Sequence, residues 1–120
     1  MTHVDPSKLC QIELAVSNVE AAISFYHNVF GWKLTDAKMH DYYILDVPQN
    51  CNFGIALVPK SSTSIKNSGI TLYFNTNLRV QIEKLALSNG GHVSNRPAIP
   101  GYKKITFIED PDGNNFGLID

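Results

Sequence analysis

Cysteine is scarce: Cys10 and Cys51 are the only two in a chain of 120 residues. One falls in a strand pattern and the other beside a turn, so they are no disulfide framework. A reduced, cytoplasmic setting is the simpler expectation. Excess charge is missing as well. A formal net charge of −1 leaves no basic footprint for nucleic acid. No apolar run is long enough to cross a membrane. The opening MTHVDPSKL lacks the charged-then-apolar layout of a signal peptide. Histidine is sparse: His3, His27, His40 and His92 stand apart, and none pairs with another at a metal-ligand spacing. Nor is there a Gly-x-Ser-x-Gly elbow, a phosphate loop or a Cys-x-x-Cys motif. What is present is apolar residue enough for a core, at 43% hydrophobic. That core belongs to one domain or to two very small half-domains.

The chain repeats itself. Ile12, Leu14 and Val16 match Ile70, Leu72 and Phe74 at a constant offset. After one inserted residue near Thr76, Val19, Ile23, Tyr26 and Gly31 match Leu78, Ile82, Leu85 and Gly90. A period near half the chain indicates two halves related by a pseudo-twofold, not a solenoid. The expected first module spans 9–58, a polar linker 59–68, and the second module 69–120. That linker, PKSSTSIKNS, has neither a helical nor a strand period.

Within the first module, Cys10, Ile12, Leu14 and Val16 alternate with Gln11, Glu13 and Ala15. The apolar set should pack under a helix, and the other set should face whatever the sheet curves around. Ser17 and Glu20 read as a capping box opening that helix near Asn18. Val19, Ala22, Ile23, Tyr26 and Phe30 make its buried stripe, and Gly31 stops it. Strands are expected at 32–35, 42–47 and 53–58. The second module repeats the plan. A strand at 70–75 leads to a helix capped by Thr76 or Asn77, with Leu78, Ile82, Leu85 and Ala86 on one face. Strands then follow at 92–94, 103–108 and 115–119. Asp110-Pro111-Asp112-Gly113 makes the last hairpin turn. The predicted fold class is α+β: two βαβββ modules, with paired, curved mixed sheets enclosing a cleft and helices outside.

IELAVSNVEAAISFYHNVFGWKL at 12–34 and ITFIEDPDGNNFGLID at 105–120 carry a resemblance to the vicinal oxygen chelate superfamily. That superfamily includes glyoxalase I, bleomycin-resistance proteins and extradiol dioxygenases. The first stretch resembles the family's strand, capped helix with a Phe-Tyr pair, and Gly stop. The second resembles its closing hairpin. The resemblance implies a cleft between the modules, often holding a divalent metal on His, Gln or Glu side chains from four strands. It places Gln11 at the first ligand position and Gly69, or Ile70, at the corresponding position of the second module. Gly54 or Ala56 takes the last strand of the first module, and Gly117 stands where a glyoxalase carries Glu. One donor in four falls short of the three that zinc, nickel or iron needs. No cofactor is therefore expected, with a divalent metal as the alternative.

The small residues at Gly54, Ala56, Gly69 and Gly117 leave room on the cleft floor, or simply let backbones pack closely. Candidate ligand-binding residues are Gln11, Glu13, Tyr43, Tyr73 and Tyr102, with Trp32 a further possible wall. Glu13 is the candidate catalytic base if the protein is an enzyme, or otherwise a solvated carboxylate. The expected function is metal-free binding of a small organic molecule. The alternative is a lyase or isomerase of glyoxalase I type (lactoylglutathione lyase), or a related dioxygenase-like enzyme. The expected partner, besides that ligand, is a second copy in a homodimer. Pairing of the modules within one chain or across two is left open.

Overall fold

The structure is a computed structural model, and it describes residues 4–37, 39–60, 70–94, 96, 101 and 104–120. Strand β1 (Gln11–Val16) leads into helix α1 (Val19–Phe30), then β2 (Tyr43–Leu45) and β3 (Gly54–Pro59). Strand β4 (Thr71–Asn75) leads into α2 (Arg79–Ser88), β5 (His92–Val93), β6 (Ile105–Glu109) and β7 (Asn115–Ile119). The first sheet has the order β1-β3-β2 and the second β4-β7-β6-β5. In each, the first and last strands run parallel and the others antiparallel. Both sheets are open and mixed. The fold class is α+β, as expected.

Two local features depart from the expected plan. The segment 32–35 is no strand. It is reduced to a bridge between Leu34 and Leu45, with Thr35 N–H donating to Ile44 O and Asp46 N–H to Lys33 O. Trp32 leaves the pleat there to join the aromatic core, so the first sheet has three strands. The capping box also fails. Asn18 is the N-cap, its side chain accepting from Ala21 N–H at 3.0 Å. Ser17 is engaged elsewhere, since its hydroxyl donates to Asp112 Oδ1 at 2.7 Å. Gly31 closes α1 in the left-handed conformation, at φ 75°, which a side chain would resist.

The core is built around α1. Ala22, Phe25, Tyr26 and Val29 are buried, with Val19, Ile23 and Phe30 packed at its margin. Below them lie Leu14, Val16, Ile55 and Leu57 of the first sheet, and Phe116, Leu118 and Ile108 of the second. Tyr26 stacks on Trp32 with centroids 5.3 Å apart, and Phe30 meets Phe116 at 5.1 Å. Each such aromatic pair contributes about 0.5–1.5 kcal/mol beyond its buried area. Helix α2 is less deeply set than its sequence stripe suggests. Only Ala86 is buried and Ile82 half-buried, while Leu78 and Leu85 are exposed. It lies against α1, β5 and β6 by a narrow edge, and Leu78 N–H is held by Thr76 Oγ1 at 3.1 Å.

Polar contacts join the halves as well. Tyr26 hydroxyl donates to Asp110 Oδ2 at 2.7 Å, and Asn114 Nδ2 donates to Ala15 O at 3.2 Å. Asn28 of α1 bonds Asn89 after α2. The two sheets therefore share one core through their helix-covered faces. Their opposite, open faces expose Gln11, Glu13 and Tyr73, with Ala15, Ala56, Val58 and Phe107 buried among them.

Candidate functional site

The alternation in β1 decides which side chains reach the open face of the first sheet. Ile12, Leu14 and Val16 go to the core, so Gln11, Glu13 and Ala15 point the other way. Register then supplies their neighbours. Gln11 pairs with Gly54, Glu13 with Ala56, and Ala56 in turn with Ile44. Gln11 and Glu13 are exposed. The amide oxygen of Gln11 lies over Gly54, where an added Cβ would come within 2.6 Å of it. Gly54 thus accommodates the Gln11 side chain folded across the sheet.

Tyr42 completes this group. Its hydroxyl accepts from Gln11 Nε2 at 2.9 Å. Burial pushes the Tyr42 phenol above its ordinary value of 10.0, and the neighbouring Glu13 carboxylate adds to the rise, while the Gln11 bond opposes it. Gln11, Glu13 and Tyr42 thus bring an amide, a carboxylate and a phenol together on this face, with the amide and the phenol hydrogen-bonded to each other. Tyr43, the tyrosine expected here, is paired with Leu57, which is paired with Leu14, and it packs on the core. The stretch Tyr42-Tyr43-Ile44-Leu45 has no polar-apolar alternation, so its sequence does not reveal which tyrosine faces out. Only the pairing of Ile44 with Ala56 shows it.

On the second sheet the open face is built from Tyr73, Gly117 and Phe107, which lie in one row across β4, β7 and β6. The Tyr73 ring covers Gly117 so closely that a Cβ there would stand 2.5 Å from it. Tyr73 remains 40% exposed, whereas Phe107 is 5% exposed. The Tyr73 ring meets Phe107 edge-on at 6.0 Å. Arg96 lies above Phe107, 4.4 Å from the ring centroid, and donates to Thr71 Oγ1 at 2.8 Å. Sequence reasoning missed Arg96. It follows β5, where the pattern shows no periodicity.

Other expected residues fall elsewhere. Trp32 is half-buried in the core, stacked on Tyr26 and Phe30. Its outer edge lines a recess of about 160 Å³ with Leu45, Val47, Cys51, Phe53 and Phe74, on the helix side of the sheets. Tyr102 and Gly69 lie outside the described residues. Among the described residues, no hydrogen bond, ion pair or ring contact joins one open face to the other.

The donors do not suit the divalent metal that this kind of fold implies. Gln11 lies opposite Gly54, and Gly117 opposite Tyr73. Glu13, the second oxygen donor, comes from the same strand as Gln11. Among the described residues, no three His, Cys, Asp or Glu side chains gather in a group. A structural or catalytic site needs at least three protein donors converging.

Solved structures with the same architecture are numerous. A glyoxalase/bleomycin resistance protein/dioxygenase family enzyme from Burkholderia phytofirmans superposes with a TM-score of 0.73 at 18% identity, over 92% of this chain and 96% of that one. TnmS3, an antibiotic binding protein from a Streptomyces species, gives 0.68 at 23% identity, over 98% of both chains. The fosfomycin resistance protein FosX from Listeria monocytogenes gives 0.69 at 16% identity, over 92% and 88%. At such identities the likeness speaks for the fold alone. No curated protein matches the chain by sequence. The family profile agrees with the paired modules, the Phe-Tyr helix and the closing hairpin: it matches residues 8–118, and the chain belongs to the Glyoxalase/Bleomycin resistance protein/Dioxygenase superfamily.

Proposed function

We propose that this protein binds a small organic molecule against its open sheet faces without using a metal. The observation that carries this reading is the pair of covered glycines. Gln11 lies over Gly54 on one face and Tyr73 over Gly117 on the other. The positions that resemble metal sites in the family are covered here by an amide that hydrogen-bonds and a ring that packs edge-to-face on its neighbour. Polar groups on one face and an apolar, aromatic floor on the other together supply the composition of an organic ligand site.

Among the described residues, no hydrogen bond or ring contact joins the two faces within one chain. A closed cleft forms when the first-module face of one copy meets the second-module face of another, giving a homodimer with two clefts. Open sheet edges and exposed Tyr73 and Gln11 support that arrangement. TnmS3 is named as an antibiotic binding protein, and sequestration of such a molecule is one use of this cleft. The enzyme reading rests on Glu13 as a base beside the Tyr42 phenol.

The test is a thermal-shift screen of small organic compounds on chelator-treated protein. A ligand at about a hundredfold its Kd adds about 2.7 kcal/mol, which raises Tm by several degrees. The expected result is a compound that stabilises the chelated protein and fails to stabilise a variant carrying Gln11→Ala and Tyr73→Ala. Stabilisation only after metal is restored, or none from any compound, contradicts the reading.

A further inference from the structure

Resting on that reading, we infer that the open face of the second sheet is an acid-binding subsite, and that the ligand it takes is a planar aromatic carboxylate.

The guanidinium carbon of Arg96 stands over the Phe107 ring, 4.4 Å from its centroid, and Nη1 donates to Thr71 Oγ1 at 2.8 Å. A guanidinium carries five N–H donors in a rigid plane. The ring contact and one hydrogen bond hold the group in place, and among the described residues its other donors have no hydrogen-bond acceptor. Among the described residues the ion pairs are His40–Asp41, Lys60–Asp112 and Arg79–Asp120, so Arg96 neutralises none of the chain's own acids. The acid that shares its sheet face, Glu109, turns towards the closing hairpin: its Oε1 lies 3.8 Å from where a Cβ on Gly113 would stand. Arg96 is exposed, so an incoming anion reaches it.

The floor beside it specifies the rest of the ligand. Tyr73 lies flat over Gly117, which has no side chain to lift the ring, and its edge touches Phe107. A second planar ring stacks on that exposed surface, as aromatic pairs prefer. Phe107 links the two parts: it lies under Arg96 on one side and against Tyr73 on the other. A carboxylate bonded directly to a one- or two-ring aromatic spans from Tyr73 to the free edge of Arg96. Carboxylate geometry matches that edge in a bidentate fashion.

The test compares 1-naphthoate with its neutral amide, 1-naphthamide. Each is titrated by isothermal calorimetry and by amide-resolved NMR into the wild-type protein and into Arg96→Gln and Arg96→Lys. The expected result is perturbation at Thr71, Tyr73 and Phe107, with the acid bound at least about tenfold more tightly than the amide, as a charge-assisted pair provides. Arg96→Gln abolishes that preference and leaves amide binding unchanged. Arg96→Lys restores part of it. An unchanged NMR spectrum away from the site shows that each variant is folded. Equal binding of acid and amide, or a preference that survives Arg96→Gln, overturns the inference while leaving organic-ligand binding intact. Failure of both compounds to perturb these residues also overturns it. The compound screen above decides separately whether the broader reading stands.

Discussion

The Tyr26 hydroxyl, in the helix of the first module, donates a 2.7 Å hydrogen bond to Asp110, which is 1% exposed in the closing hairpin of the second. Asp110 also accepts from the backbone of Asp112 and from both the backbone and the side chain of Asn114. One buried carboxylate thus shapes the turn and anchors the other half of the molecule to it. The halves are not independent units in the folded chain. They share a carboxylate as well as an aromatic core.

Tyr26→Phe should lower stability by about 1–3 kcal/mol, because a buried acceptor loses one donor. Asp110→Ala should cost more, since it strands the other donors together. Urea unfolding of the two variants and of their combination measures the coupling between them. Additive effects would show that the bond does not join the modules energetically.

The same tyrosine sets an alkaline limit. Burial, followed by the Asp110 charge and hydrogen bond, raises the Tyr26 phenol well above its ordinary value of 10.0. In the unfolded chain it ionises near that ordinary value, while in the folded chain it stays protonated. The stabilisation is therefore whole below about pH 10 and is lost as pH rises towards the folded value. Wild-type stability should fall steeply above that pH, and Tyr26→Phe should flatten the fall. Denaturant midpoints at neutral and alkaline pH give both slopes, and equal slopes would contradict the assignment.

Glu13→Gln should bring the Tyr42 phenol part of the way down towards 10.0. The larger cause of its rise, burial, remains in the variant. An NMR titration of the Tyr42 ring follows this directly. An unmoved midpoint would show that Glu13 and Tyr42 do not interact in solution, and the polar cluster would reduce to Gln11 and Tyr42.

Gly117→Ala places a methyl where the Tyr73 ring now lies. Tyr73 is exposed enough to swing into solvent, so stability should change by no more than about 1 kcal/mol. Ligand binding to the second face should be lost with the flat ring. Loss of the Tyr73–Phe107 ring contact in NOE spectra, together with a preserved melting transition, is the expected pair of results. A strong binder in this variant would exclude Tyr73 as the floor of the site.

Much of the fold could be read from local chemistry. The strand-helix entry at 11–30, the Gly31 stop and the hairpin at Asp110-Pro111-Asp112-Gly113 each have a signal within a few residues. The open-face positions of Gln11 and Glu13 follow from strict alternation. What escaped was non-local or unpatterned. Nothing near Ser17 shows that its hydroxyl belongs to Asp112, so Asn18 takes the cap instead. Trp32 reads as a strand residue until Tyr26 and Phe30 are seen to stack on it. Tyr43 packs on the core and Tyr42 reaches the open face, which the sequence does not reveal because Tyr42-Tyr43-Ile44-Leu45 has no polar alternation, and a shift of one residue moves a side chain to the opposite face. Arg96 is placed by Phe107 and Thr71, both distant in sequence.

The central claim is that Gln11 over Gly54 and Tyr73 over Gly117 replace a metal with an organic-ligand surface. Elemental analysis tests it most directly, on protein loaded in turn with zinc, nickel, manganese and iron(II) and then desalted. The account predicts no stoichiometric metal from any of the four, and no loss of metal content on Gln11→Ala or Glu13→Gln. One metal ion retained per chain, and released by either substitution, would contradict it and bring the enzyme reading forward.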